Sequence, residues 1–395
     1  MAQRAGIMFV IDTLLQGGAE HVLFNLAQGL VAGGKYRPVV VCLKEAGPLA
    51  GKFQQAGVPV FPQMLKDKYD ARVLLALVRL IQEHHIKIVI PVGGGERMFW
   101  STLAAKIAGV KSVIWSQTFS QPGHPEFDLS NRMLYPLVDK FIALGARHKL
   151  CLALRDKVPE GKIAIITNGI EVHHNDSSHW RDRARSILGL ADENVLAVGM
   201  IANLTPSKRH DIFIQAARQV VGAFRDIHFF IIGDGPSRND VRMLAQKSEL
   251  LGRYLSLLGH REDVPQLLPG LDLVCQCSEY HECQSVTALQ AMASGVPVIS
   301  NFIGSMDEAI IDNQTGFFYE TLTPTALAKK ILQVAPKPAL RQSVSQAARK
   351  LVEEKFSCQR LVKDFIELFD NLLAVNYRCT GVLALLSRNS SSVGE

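Results

Sequence analysis

No apolar run in the 395 residues reaches the roughly 18 to 20 residues that a membrane-spanning helix needs. The opening stretch, MAQRAGIMFVIDTLL, holds only a short apolar run broken by Asp12, so it reads as a first strand and not as a secretory leader. Those two absences predict a cytoplasmic protein, peripheral at most to the inner face of a membrane. No block of Lys and Arg is interleaved with aromatics, which argues against nucleic acid. There is no G-x-G-x-x-G and no P-loop lysine, so neither a dinucleotide nor an ATP site is supported. The seven cysteines are odd in number and lack framework spacing. Cys275, Cys277 and Cys283, with His281, could suggest a metal. Cys275 and Cys277, however, stand two apart on one face of an apolar strand, which makes buried reduced thiols the simpler reading.

What is present is the material of an ordinary globular protein. The chain is 48% hydrophobic and 20% charged, and its length suggests two domains. The net charge of +6 is uneven: residues 1–175 hold 20 Lys and Arg against 13 Asp and Glu, and residues 176–395 hold 23 against 24. A basic first half suits an anionic acceptor or an anionic membrane surface, and a scattered solvated surface fits equally well.

Apolar runs of strand length alternate with amphipathic stretches along the whole chain. The first half reads as strands at 7–11, 38–43, 58–61, 86–91, 111–115 and 140–144. Helices are expected at 19–32, 72–84, 95–108, 129–137 and 146–154. The polar segment 173–180, HHNDSSHW, reads as a linker. Strands at 195–201, 228–233, 255–258, 271–277 and 296–300 follow, and 356–373 is a last amphipathic helix. Residues 388–395 are expected to be disordered. Short loops between alternating elements predict an α/β fold with doubly wound parallel sheets.

The most informative stretch is Ser278–Ser300, SEYHECQSVTALQAMASGVPVIS. It reads as a polar loop after a strand, a helix from Val286 to Ala293, a glycine turn at Gly295 and another buried strand. A helix that starts directly after a parallel strand points its first N–H groups out of the sheet edge, where they bind phosphate. Ser285, Val286 and Thr287 supply those groups here. Glu282, just before the helix, could accept hydroxyl hydrogen bonds from a sugar, or simply complement the helix dipole. Earlier in the chain, Gly17-Gly18 between a strand and a helix has the same phosphate-cradling shape, and a plain tight turn would look alike.

These residues resemble the signature of the retaining glycosyltransferases of family 4, which have the GT-B fold. That family has a Glu, a loop of small residues, and a second Glu eight positions after the first, in Glu-Ala-Met-Ala-x-Gly-Val-Pro-Val. Glu282 matches the first Glu, while Gln290 stands at the second, followed by Ala291-Met292-Ala293-Ser294-Gly295-Val296-Pro297-Val298. Gly17-Gly18-Ala19-Glu20 matches the family's glycine loop. Asn168-Gly169-Ile170-Glu171 is similar to the turn closing the first domain. Lys208 matches the family lysine that neutralises the donor diphosphate, and Asn203 stands where many members have an Arg, with Arg209 close enough in sequence to compensate. The loop from Gly259 to Pro265, with His260 and Arg261, is similar to the loop that edges the donor base. Where members commonly have a His after the strand ending at Trp115, this chain has Ser116-Gln117-Thr118. The nearest other His in sequence is His124, in the loop Gln121–Pro125.

The resemblance implies two Rossmann-like domains facing across a cleft. Residues 1–175 would form the acceptor side and residues 190–355 the nucleotide-sugar side, with the helix at about 356–373 crossing back. It implies a metal-independent transferase moving a sugar from a UDP-, GDP- or ADP-sugar to a saccharide, lipid-linked or small-molecule hydroxyl. Glu282 would be catalytic. Lys208, Gly17, Gly18, Ser285, Val286 and Thr287 would hold the diphosphate, and Gln290 the ribose. His260 and Arg261 would hold the base, and Gln117 and Asn203 would contact sugar. Two other activities fit the same fold. One is a nucleotide-sugar-binding protein without catalysis, and the other a nucleotide-sugar epimerase.

Overall fold

The computed structural model describes residues 4–15, 17–64, 70–117, 129–172, 178–280 and 282–374. His124, His281, residues 173–177 of the expected linker and the tail 388–395 lie outside them. The first unit runs β1 (Ala5–Ile11), α1 (Gly18–Gly33), β2 (Tyr36–Cys42), α2 (Ala50–Gln55), β3 (Val60–Phe61), α3 (Arg72–Glu83) and β4 (Ile86–Pro91). It continues through α4 (Glu96–Ile107), β5 (Lys111–Trp115), α5 (Leu129–Arg132), β6 (Lys140–Ala143), α6 (Ala146–Leu154) and β7 (Ile163–Ile165). The second begins α7 (Ser178–Leu188), β8 (Leu196–Ile201), α8 (His210–Ala223), β9 (Ile227–Ile232), α9 (Arg238–Lys247), β10 (Leu255–Gly259) and α10 (Val264–Leu267). There follow β11 (Leu273–Gln276), α11 (Val286–Ala293), β12 (Val298–Asn301), β13 (Phe317–Tyr319), α12 (Pro324–Val334), α13 (Pro338–Lys355) and α14 (Cys358–Ala374).

Two parallel sheets result, in strand orders β3-β2-β1-β4-β5-β6-β7 and β10-β9-β8-β11-β12-β13. The winding direction reverses between β1 and β4 in the first and between β8 and β11 in the second. Such a reversal leaves a crevice at the carboxyl edge of the strands, because the flanking loops depart to opposite faces. The residues expected to bind ligand follow β1, β5, β8, β10 and β11, at the carboxyl edges of both sheets.

Side chains of a strand alternate between faces, and the second sheet shows the consequence. Cys275 and Cys277 are buried with Phe213, Val220 and Ile331 under α8 and α12, while Val274 packs with Leu289 and Met292 of α11. Both thiols are reduced, and burial pushes the Cys277 thiol up to about 12. In the first unit, α14 lies on α1. Phe365 meets the Trp115 ring at a centroid distance of 4.9 Å, Phe369 meets Tyr36 at 5.2 Å, and Lys35 pairs with Asp370 at 2.7 Å. The two passages of the chain between the units run side by side, with Ile170 N–H donating to the Phe356 carbonyl and Cys358 N–H to the Ile170 carbonyl.

Two local expectations change. The polar segment read as a linker already gives way to α7 at Ser178. That helix belongs to the second sheet, where Arg181 bonds the Asp272 carboxylate at 2.7 Å. The helix expected over 129–137 breaks into α5 and a separate 3-10 turn, Tyr135–Leu137, because Pro136 removes a backbone donor. Among the described residues no helix is long and apolar enough to cross a membrane.

Candidate active site

A cleft of about 430 Å³ opens between the two carboxyl edges, and all twelve expected site residues line it. From the first unit come Gly17, Gly18 and Gln117. From the second come Asn203, Lys208, His260, Arg261, Glu282, Ser285, Val286, Thr287 and Gln290.

The loops after β8 and β11 are tied to each other before they touch any ligand. Glu279 N–H donates to the Ser207 carbonyl at 2.8 Å, and the Glu279 carboxylate lies 3.3 Å from Arg209. A 3-10 turn, Pro206–Lys208, ends at Arg209 in the left-handed region at φ 52°. That turn delivers Lys208 to the far loop, where its ammonium forms an ion pair with the Glu282 carboxylate. Ser278 Oγ donates to the same carboxylate at 3.0 Å and lies 3.5 Å from Lys208 Nζ. Glu282 is only 9% exposed, so its charge is held by these two partners and not by bulk water.

Beyond Glu282 stands the N-terminus of α11. Ser285 caps it in extended conformation, its hydroxyl accepting the Ala288 N–H at 3.3 Å. Its own N–H points at Met306 Sδ, 3.2 Å away. Ser285 is therefore engaged on both counts, and the phosphate-facing donors expected of this corner narrow to the first-turn N–H groups of Val286 and Thr287. Directly opposite is the glycine loop of β1–α1. A Cβ on Gly18 would lie 3.2 Å from Val286 Cβ, so the absence of a side chain there is what lets the two walls approach. Gly295 closes α11 in the left-handed region at φ 75°, as the helix end requires.

Three expected roles change in the folded chain. Arg209 cannot stand in for an arginine at position 203. Its guanidinium is bidentate to Asp211 at 2.9 and 2.8 Å, pairs with Glu279, and is not in the cleft wall, while Asn203 is exposed at the rim. Arg261 reaches the cleft with its donors turned to Asp263 at 2.7 and 2.6 Å, while His260, like Glu262, is an exposed side chain of that loop. Lys208 and Glu282, expected to serve separate parts of a ligand, neutralise each other. Any anion entering the cleft competes with Glu282 for the ammonium.

The cleft also recruits residues that local pattern did not single out. His21 and Asn25 stand one helical turn apart on α1 and continue the wall begun by Gly18, and Lys52 of α2 and Asn168 join them. Their i, i+4 spacing after a glycine loop was the available signal. Burial and the nearby Lys52 charge hold the His21 imidazole below its usual range. Next to Lys208, His210 is 3% exposed, neither ring nitrogen is hydrogen-bonded among the described residues, and burial, helped by the Lys208 charge, lowers its pKa to about 4. Among the described residues no group of three or more His, Cys, Asp and Glu is arranged to hold a metal ion.

Comparison with known proteins agrees with this geometry. Residues 16–174 match the family model described as Glycosyltransferase Family 4, and residues 181–351 the model Glycosyl transferases group 1. The UDP-Gal:alpha-D-GlcNAc-diphosphoundecaprenol alpha-1,3-galactosyltransferase of Escherichia coli is 25% identical over 354 residues, covering 85% of this chain and 89% of its own. A glycosyltransferase structure from Rickettsia africae superposes with a TM-score of 0.81 at 21% identity, over 94% of this chain and 100% of that one. HepE of Anabaena, in complex with UDP and glucose, superposes with a TM-score of 0.80 at 20% identity, over 92% and 99%. The two matched segments together span both sheets and the cleft between them, and the chain belongs to the family 4 glycosyltransferases, with the GT-B fold.

Proposed function

We propose that this glycosyltransferase takes a hexosyl unit from a UDP-sugar and transfers it, with retention, to a hydroxyl of a lipid-linked acceptor at a membrane surface. The observation that carries the reading is the Lys208–Glu282 pair at the N-terminus of α11, on the crevice of the second sheet and facing the Gly17-Gly18 loop. A UDP donor is supported by the donor in the Escherichia coli relative's name and by the UDP in HepE. A lipid-linked acceptor is supported by that relative's diphosphoundecaprenol substrate.

In this reading the donor diphosphate displaces Glu282 from Lys208 and takes the Val286 and Thr287 N–H groups, so the leaving nucleoside diphosphate departs into preformed positive potential. Gln290 holds the ribose hydroxyls, and His260 edges the base. Glu282, released from its partner, accepts sugar hydroxyls and favours the positive charge that develops at the anomeric carbon. The acceptor enters along the first unit, past His21, Asn25 and Gln117.

The surface of the first unit supports the membrane assignment. Leu129 and Met133 are 77% and 75% exposed and one turn apart, and Leu150 and Leu154 on α6 are 56% and 66% exposed at the same spacing. Arg132 reaches the Arg155 carbonyl at 3.4 Å and so ties the two segments together. Residues 129–162 carry seven Lys and Arg against three acids, of which Asp156 is fully buried. An apolar ridge rimmed by cations suits an anionic bilayer.

The decisive experiment supplies labelled UDP-hexoses with polyprenyl-diphosphate-linked acceptors in phosphatidylglycerol vesicles. Sugar transfer to the lipid is expected. Conversion of the free donor to an epimer, or donor binding without turnover on any acceptor, would overturn the reading. Leu150→Glu with Leu154→Glu should release the protein from anionic vesicles while leaving UDP binding intact.

A further inference from the structure

The seam between the two units holds a buried polar cluster that the mechanism above leaves unused. Its centre is His148 of α6, with no exposed surface. Nδ1 accepts the Leu144 backbone N–H at 3.0 Å, which leaves the ring proton on Nε2, 2.9 Å from Ser116 Oγ. Nδ1 also lies 2.8 Å from Sγ of Cys283, the residue after Glu282. The His148 backbone N–H donates to Ser305 Oγ at 3.2 Å, and the Ser305 N–H donates to the Cys283 carbonyl at 2.7 Å. Cys283 is thus held by both side chain and carbonyl, and the two holds meet at His148.

The cluster joins the halves. Ser116, Leu144 and His148 belong to the first unit, and Cys283 and Ser305 to the second. The Glu308 carboxylate accepts the Ala146 N–H at the start of α6, and Gln284 Oε1 accepts the Asn168 N–H at 2.7 Å. The Arg147 guanidinium lies over the Phe302 ring at 4.4 Å. Gly145 makes the approach feasible, since a Cβ there would lie 2.6 Å from Ser305 Cβ. None of these contacts survives if the cleft opens by even a few ångströms, whereas the Lys208–Glu282 pair, inside one unit, does.

We infer that His148 is a positioning residue for this transferase. When the two halves meet, it locks Cys283, and through the shared peptide it sets the carboxylate of Glu282 against the sugar. A buried polar network forms only with all its partners present, so it marks the closed arrangement sharply. A catalytic group misplaced by about 1 Å costs on the order of 100-fold in rate, which makes the lock functionally significant. The inference rests on the proposed transferase activity and deepens it.

The test compares His148→Ala, Cys283→Ala, the double variant and Cys283→Ser, each assayed for sugar transfer and for UDP binding by calorimetry. UDP affinity should stay within about twofold of wild type, because Lys208, Gln290, His260 and the Val286 and Thr287 N–H groups all belong to the second unit and, among the described residues, none of them bonds to His148 or the Cys283 side chain. Each Ala variant should lose about tenfold or more in kcat, the double variant should be no slower than the worse single, and Cys283→Ser, which keeps a donor to Nδ1, should recover most of the rate. Wild-type kcat in either Ala variant, independent losses that multiply, or a Ser variant as slow as Ala would overturn the assignment. If His148→Ala does not fold, the Ala and Ser variants at Cys283 decide alone. Failure of the transferase reading itself looks different, because wild-type protein would then transfer no sugar.

Discussion

Two corners face each other across the cleft, each made of a strand, a loop and a helix at a reversal of sheet winding. In the first, β1 passes through Gly17-Gly18 into α1, whose cap makes no side-chain hydrogen bond. In the second, β11 passes through Ser278–Ser285 into α11, capped by a serine hydroxyl and preceded by a half-buried ion pair. The same topology thus yields one corner of bare glycine backbone and one corner of charge. A bare corner imposes little on a ligand beyond shape, which suits the varied acceptor side. A charged corner must be balanced when empty, and Lys208 and Glu282 balance each other. Substitutions in the two corners should therefore fail in different ways.

The largest effect expected is on stability, and it belongs to the charged corner. His210 is buried beside Lys208 with a pKa near 4, against about 6.5 in the unfolded chain. Because the native state resists the proton, the unfolded state binds it first as pH falls below about 6.5, and stability drops until pH 4. The loss amounts to about 3 kcal/mol. Melting curves between pH 7 and 4 should show His210→Leu losing much less Tm than wild type; parallel curves would mean that the imidazole is not buried neutral. His21, its counterpart at the glycine corner, should contribute less.

Gly18→Val tests the approach of the walls. Its methyls would occupy the space taken by Val286, so kcat should fall by about 100-fold with UDP affinity little changed. Normal turnover would mean that the corners need not meet. Lys208→Ala should weaken UDP binding by about 1.5–3 kcal/mol, the worth of a charged hydrogen bond, and calorimetry reads it directly. An unchanged affinity would remove Lys208 from the diphosphate. Glu282→Gln keeps shape and removes charge. Its kcat should fall by about tenfold or more, some 1.4 kcal/mol, with UDP affinity nearly intact or raised as Lys208 is released. A mutant that turns over normally would reduce Glu282 to a helix-dipole acid. The smallest effect is expected at Gln290, half-buried in the wall. Gln290→Glu should tighten UDP by at most about tenfold, since it only strengthens a hydroxyl contact. A large fall in Tm would instead mean that the new carboxylate is stranded.

The fold was legible where the signal is local. Apolar runs of strand length marked β1 to β6 and β8 to β12 but not the three-residue β7 and β13, and α11 begins and ends where the loop and Gly295 bound it. Where patterns were weak, boundaries moved. Helix α7 starts inside a polar segment because its stabilising partner, Asp272, is far away in sequence, and Pro136 splits the expected 129–137 helix.

By itself, the sequence determined that two wound sheets would form and which twelve residues would reach the cleft. The sheets and the two strand–loop–helix corners follow from spacing, because strand length, helix period and the loops at strand ends are properties of neighbours along the chain. Lys208, Asn203, Gln290, His260, Arg261 and Gln117, by contrast, come from the resemblance to the family's motifs. Only the tertiary structure decided how those residues pair. Lys208 meets Glu282 because one loop is bonded to another, Arg209 is drawn off to Asp211 and Glu279, and Ser285 spends its N–H on Met306. His148, part of no motif, is brought against Cys283, 135 residues away, by the meeting of the two units. Hydrogen bonds and ion pairs are set by distances of about 3 Å in space, and no pattern along the chain encodes which of several nearby partners will win.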